Sequence, residues 1–435
     1  VSLENYFTEP ELVLSEEAQT QAVADTQDLQ HEVHFFIEDS ERLEGVQEGL
    51  EGLKGIIASI ESATAKDIAL VRSAGDLALA GTGADHTSLF PSLESAEGAT
   101  ISVEGIGEII SDIWRAIVRA VKRVWEAIMG FFGKIKDQAG RLKKQNTAMR
   151  ERMSKVAGKK PKSKQTNLER EAEQIAIAGR VPKNGKEIVD NLRVMSQQAG
   201  VVYKDYANQL VSTGDKLIAA LNKFDITKPS ESLERVVEAS NTLSLDAVKA
   251  MMAKMGNGTI KDSRWANMQV IGGAHLLGGK NIFQITSSAK AEKGNVLELS
   301  EKARKRELTL ANTEAKAGRK ITNATIATIE SEQGIEIAQL NEQIIEVIAE
   351  FDKRKDKIDK VRRQLEQAGY DLEKNSKKAN ETVPDNSAMY VAEALKYVTA
   401  YGHWTAKPMV DMGSHFYSVV RATITVCNKS VANYE

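Results

Sequence analysis

A single cysteine, Cys427, stands among 435 residues. That excludes an intrachain disulfide and any cysteine-based metal centre. Proline is scarce, with 7 residues, so few positions forbid a continuing helix. Aromatic residues make up only 5% of the chain. No apolar run reaches the ~18 residues that read as a membrane-spanning helix. The start, Val1-Ser2-Leu3-Glu4, shows no basic segment followed by an apolar one, and so no secretory signal pattern. It also lacks an initiator Met, as expected of a processed start or of a fragment.

The chemistry-bearing motifs are equally sparse. There is no GxSxG nucleophile elbow and no GxxxxGK[ST] phosphate loop. Of the six histidines, His31 and His34 lie three apart on an expected helix, with Glu32 and Glu38 nearby. They begin a metal site but have no third ligand at sensible spacing, and a surface pair is the preferred reading. His403 and His415 read as packing or surface residues. Gly272, Gly273, Gly278 and Gly279 follow no clear strand and open no clear helix, which gives a dinucleotide site little support. Cys427 has Lys429 near it but no histidine in local register, and reads as a small buried apolar residue. The expectation is a non-enzyme with no cofactor and no metal.

What the chain does hold is helix-forming composition. Apolar residues make up 42% and charged residues 27%, enough to bury a core over two or three domains. The expected fold is mainly α, an elongated multi-helix assembly with a long coiled coil or helical hairpin in the C-terminal half. Charge is strongly polarised behind a net of -3. Residues 1–111 carry 22 acidic and 4 basic side chains, whereas 112–165 carry 16 basic and 4 acidic. Two readings stand: the acidic segment screens the basic one, or the two are independently solvated surfaces.

Six segments follow. Residues 1–80 form an acidic N-terminal helical segment, and 81–105 a linker punctuated by Gly81, Gly83, Pro91, Gly98 and Gly105. Residues 106–166 combine a basic amphipathic helix with a basic linker. Ile113, Trp114, Ile117, Val121, Trp125, Ile128, Phe131 and Phe132 make its apolar side, opposite Arg115, Arg119, Lys122 and Arg123. Such a face suits a membrane interface, a protein core or a partner helix. Beyond it Arg141, Lys143, Lys144, Arg150, Arg152, Lys155, Lys159, Lys160, Lys162 and Lys164 are candidate phosphate contacts. No aromatics interleave them, so sequence-specific recognition is not indicated. A merely soluble linker competes with that reading, and Gly158 to Thr166 reads as flexible. Residues 167–290 are expected to be a helical domain, with a short strand or buried turn near Ile282, Phe283 and Ile285. Residues 291–379 carry the long element, whose coiled-coil face is Leu340, Ile344, Val347, Phe351, Ile358, Val361 and Leu365. Residues 380–435 are expected to form two helices separated at Pro408.

Three features together resemble a known family. They are the acidic N-terminus, the helix from Ile113 to Phe132 (IWRAIVRAVKRVWEAIMGFF), and the long helical C-terminal half. They resemble the internal head proteins of giant tailed bacteriophages. That resemblance implies packing inside the capsid with the genome, in some members ejection with the DNA, and no catalytic residue. It also implies maturation by a prohead protease that prefers Glu after a small residue two positions earlier. Ser2-Leu3-Glu4, Ser15-Glu16-Glu17, Ser95-Ala96-Glu97 and Ser102-Val103-Glu104 fit that pattern, whereas the terminal Asn433-Tyr434-Glu435 lacks the small residue. The leading expectation is an internal virion protein, in the host cytoplasm before assembly, that associates with packaged DNA nonspecifically or with other virion proteins. The alternatives are a membrane-active protein using the 113–132 face, with membrane contact during ejection, and a scaffold or tail-associated protein that self-associates through its helices.

Overall fold

Long stretches rich in Ala, Glu, Lys and Leu, with apolar residues three and four apart, favour helix over any other regular structure. The computed structural model of the chain is accordingly predominantly helical. It describes residues 31–39, 41–47, 49, 73–74, 104–177, 179–243, 268–271, 276–287, 295–312, 321, 324–378 and 387–434. The expected linker at 81–105 lies outside these residues except for its last two positions, as do the Ser2, Ser15 and Ser95 triplets.

A helical segment occupies 31–39 and 41–47. The main elements follow. Helix α1 spans Glu104–Lys155 and strand β1 Gln165–Leu168. Helices α2 (Glu171–Gln174) and α3 (Gly185–Gly200) lead into a π-helical turn, Val201–Tyr206, and then α4 (Ala207–Asn222). Helix α5 spans Pro229–Asn241, with its proline in the first turn, where a missing N–H costs nothing. Strands β2 (Met268–Ile271) and β3 (Lys280–Ser287) precede α6 (Val296–Arg304), β4 (Glu307–Asn312) and β5 (Ala324–Ala327). Helices α7 (Ser331–Ala349), α8 (Asp352–Lys378) and α9 (Ser387–Ala432) complete the chain.

Helices α1 and α9, of 52 and 46 residues, pack on each other. At 1.5 Å per residue they run about 78 and 69 Å. Helix α7 lies against α1 and α3, and α8 against α4 and α9. The periodic stripe expected to make a coiled coil or hairpin is therefore divided at Glu350–Phe351 between two helices. Different helices of the same chain cover its two halves. Ile344, Phe351, Ile358 and Leu365 are wholly buried, with Leu340 and Val361 nearly so and Val347 half-buried. Phe351 sits where the stripe breaks, stacked on Phe132 at 4.1 Å between ring centroids, with Tyr203 edge-on to both rings at 6.2 Å.

A buried polar layer crosses this apolar seam. Asn146 Nδ2 donates to the Ala338 carbonyl at 2.7 Å, and Asn341 Nδ2 to Asn146 Oδ1 at 3.3 Å. Thr423 Oγ1 donates to Asn341 Oδ1 at 3.1 Å. The layer ties α1, α7 and α9 in one register, because sliding any helix by a turn would strand buried amides without partners.

The C-terminal region departs from the two-helix expectation. Helix α9 runs unbroken through Pro408. Proline has no N–H to give the carbonyl four residues back, which is that of Trp404. The Tyr206 hydroxyl replaces that donor, reaching the Trp404 oxygen at 2.7 Å from the π-helical turn. Tyr203, one turn earlier, donates to the Met409 carbonyl. A Cβ at Gly413 would lie 2.7 Å from the Tyr203 oxygen, so this close approach needs glycine.

Two small antiparallel sheets depart from the expected helical domain and long helix. One orders its strands β2-β3-β4 and includes the strand anticipated near Phe283; the other pairs β1 with β5. In the latter Gln165 faces Ala327 and Leu168 faces Ala324. Residues expected to continue one long helix upstream of 331 thus include two strands.

Candidate nucleic-acid interface

From Val118 onward helix α1 buries one face, through Val124, Ile128, Phe131, Ile135, Leu142, Met149 and Met153. The opposite side of its last third is basic. Arg141 and Arg152 are eleven residues apart, as are Lys144 and Lys155, and eleven residues are close to three turns. All four therefore share one strip. Past the helix end Lys159, Lys160, Lys162 and Lys164 are also exposed. Among the described residues Arg141, Lys144, Arg150, Lys155, Lys159, Lys160 and Lys164 carry no ion pair, so their charge is directed to solvent.

Several of the ten candidates have partners within the chain, Lys143 and Arg152 through their side chains and Lys162 and Lys164 through the backbone. Lys143 lies 2.7 Å from Glu346 and 3.2 Å from Glu342, and hydrogen bonding to both holds its pKa above the usual lysine value. Arg152 donates to Asn428 Oδ1 at 3.3 Å. The Lys162 backbone amide donates to the Asn433 carbonyl at 2.7 Å. The second half of Gly158–Thr166, expected as a flexible linker, is thus tied to the end of α9 and to β5. Thr166 belongs to β1, and its hydroxyl meets Ser430 at 3.0 Å and the Asn433 amide at 2.9 Å. The C-terminal end of α9 fixes where the basic strip leaves α1.

The amphipathic face is placed differently. Val121, Trp125, Ile128, Phe131 and Phe132 are buried within the chain's own core. The side chains at 113, 114 and 117 lie outside the described ones. The Arg362 guanidinium lies 5.9 Å from the Trp125 ring centroid. No helix among the described residues is long and apolar enough to cross a membrane.

The remaining candidates separate. His31 is exposed, while His34 Nε2 bonds Asp411 Oδ1 at 2.8 Å, and that hydrogen bond raises the His34 pKa. Among the described residues no three His, Cys, Asp or Glu side chains converge as metal ligands. Gly278 and Gly279, at φ +78° and +63°, form a tight turn before β3. A Cβ at Gly278 would lie 2.8 Å from His415. Burial and the Lys280 ammonium push His415 down to about 3. Cys427 is fully buried, and burial pushes its thiol well up, away from nucleophilic chemistry.

Two ionic groupings escaped the sequence. Arg304 donates to Glu393 Oε1 from Nε and Nη2 at 2.9 and 2.8 Å, and Lys396 lies 3.2 Å from Glu393 Oε2. The segment 31–47 meets α9 through charges. The Tyr206–Pro408 partnership escaped it too, because the sequence reads Pro408 as a break between two helices.

Comparison with curated proteins and with solved structures gave no match. A family model, that of the phiKZ-like phage internal head proteins, matches residues 9–429 and so spans the helical bundle, both sheets and the basic strip. The chain belongs to that family, and it is a structural, non-catalytic protein of the virion interior of a large tailed phage.

Proposed function

We propose that this internal head protein contacts the packaged genome through the basic strip on α1 and its continuation to Lys164. The observation that carries the reading is the one-sided helix: its apolar face from Val118 onward is consumed in the core while Arg141, Lys144, Lys155, Lys159, Lys160 and Lys164 are exposed without acidic partners among the described residues. Charges so displayed neutralise phosphates regardless of base sequence and release condensed counterions. Binding then weakens steeply with salt and favours no sequence.

The test is duplex DNA binding across a salt series with the full chain. Changing Arg141, Lys144, Lys155 and Lys159 to Gln should lower the slope of log affinity against log salt by roughly 0.9 for each phosphate left without its cation. Lys143→Gln, already engaged by two glutamates, should change it little. An unchanged slope in the fourfold variant would refute the reading. Loss of folding, read by circular dichroism, would show the strip to be structural instead.

A further inference from the structure

The side of α1 turned away from the core carries a pattern that phosphate contact does not use. From Glu126, steps of three and four residues lead to Lys155 along one exposed line, directly opposite the buried Ile128, Ile135 and Leu142. The line holds both signs of charge: Glu126, Asp137 and Glu151 against Lys144 and Lys155. Among the described residues Asp137, Lys144, Glu151 and Lys155 have no ion pair, and Glu126 meets the exposed Lys122 at 3.9 Å. Between these charges stand Gly130, Gly133, Gly140 and Ala148. A Cβ at any of the three glycines would meet nothing in the chain. Each weakens the helix relative to alanine with no internal contact in return. What glycine supplies there is room for another backbone to come close.

The steps along this line are the same read from either end, with their midpoint between Gly140 and Arg141. Turned end for end, the line sets Glu126 opposite Lys155, Asp137 opposite Lys144 and Gly133 opposite Ala148. Glu151 falls opposite Gly130, where no side chain blocks it. We infer that α1 pairs antiparallel with α1 of a second copy of this chain, across a twofold axis near Gly140. The axis doubles every contact, so both oppositely charged pairs form twice. A parallel pairing would set each charge against its like. A duplex does not account for the line, because phosphates repel Asp137 and Glu151. Exposed ion pairs are individually weak, so the pairing depends on concentration and on salt. It does not rest on the genome-contact reading, although a second copy and a duplex compete for Lys144 and Lys155.

Sedimentation equilibrium of the full chain, freed of nucleic acid and at low salt, tests it over a concentration series. Association should be seen and should fade with added salt. Asp137→Lys should weaken it about tenfold or more, since two like-charge contacts replace two ion pairs. Adding Lys144→Asp to the same chain should restore it. Gly133→Gln with Gly140→Gln should raise the unfolding temperature and yet weaken association, two movements that a structural role for the glycines would not combine. Cross-linking reads the direction, because the native Cys427 is buried. Arg141→Cys, beside the axis, should oxidise to a disulfide-linked dimer, whereas Glu126→Cys should do so only when mixed with Lys155→Cys. A chain that stays monomeric at low salt would overturn the inference. So would a double swap that restores nothing, or Glu126→Cys alone cross-linking as readily as Arg141→Cys. These measurements contain no DNA, so the inference and the genome-contact reading fail separately.

Discussion

Tyr206 and Pro408 form a pair across two helices. With the proline in place, the buried Trp404 carbonyl takes its hydrogen bond from the Tyr206 hydroxyl. Tyr206→Phe should therefore cost about 1–3 kcal/mol, the usual penalty for stranding a buried acceptor. Pro408→Ala restores the backbone donor, and in that background the same change should cost clearly less. Urea unfolding of the four variants measures the difference, and equal costs in both backgrounds would show that the hydroxyl does not serve the proline.

Two histidines should titrate in opposite senses. The Asp411 hydrogen bond raises the His34 pKa above 6.5. Docking of 31–47 is then favoured in full below about pH 6.5, and the gain fades as pH climbs through the raised value. His415 is held neutral, down to about 3, with its Nε2 buried and lacking a hydrogen-bond partner. Its contribution is present above about pH 6.5 and is lost progressively on acidification toward pH 3. Mild acid should thus tighten the docking of 31–47 on α9 while loosening the body. Nuclear magnetic resonance titration of the imidazoles checks both directions, and Asp411→Asn should return His34 toward its ordinary value.

Among the elements, α7 and α8 carry the periodic stripe, which α1, α3, α4 and α9 of the same chain bury. Ile344→Ala should cost about 2–5 kcal/mol and Phe351→Ala about 3–5 kcal/mol, since each leaves a cavity in a close-packed seam. Urea midpoints should fall while the sedimentation coefficient of the folded protein stays unchanged. Dissociation of an assembly without a drop in monomer stability would mean that the stripe joins separate copies. Asn146 and Asn341 sharpen the arrangement, because an all-apolar seam permits several registers and a hydrogen-bonded pair permits one.

At the scale of the whole molecule, the family's place in the virion interior and the exposed cationic strip are independent observations. The first comes from the match over residues 9–429, the second from the burial of the opposite side of α1. The protein presents basic charge outward along α1 and acidic charge inward onto α9. The proposed contact of the strip with DNA and the contacts of 31–47 with α9 should both weaken with salt. Neutralising the strip should leave thermal unfolding nearly unchanged, since surface charges without partners contribute little to stability. Scanning calorimetry of the fourfold Gln variant checks this, and a large drop would mean that the strip is tied into the fold.

Local pattern alone determined the helical class, the amphipathic run through Phe131, the stripe from Leu340 to Leu365 and the basic run to Lys164, because side-chain period and charge are properties of neighbouring residues. It also carried the resemblance to the phage internal head proteins. It left unspecified what the apolar faces meet. Only the tertiary structure decided that Trp125 and Phe132 face the chain's own helices, that Gln165 pairs with Ala327, and that His34 finds Asp411. Those partners lie far apart along the chain, and no local period encodes them. Pro408 shows the same division within one residue: sequence marks it as a helix breaker, yet a hydroxyl from another helix supplies the missing bond and the helix continues.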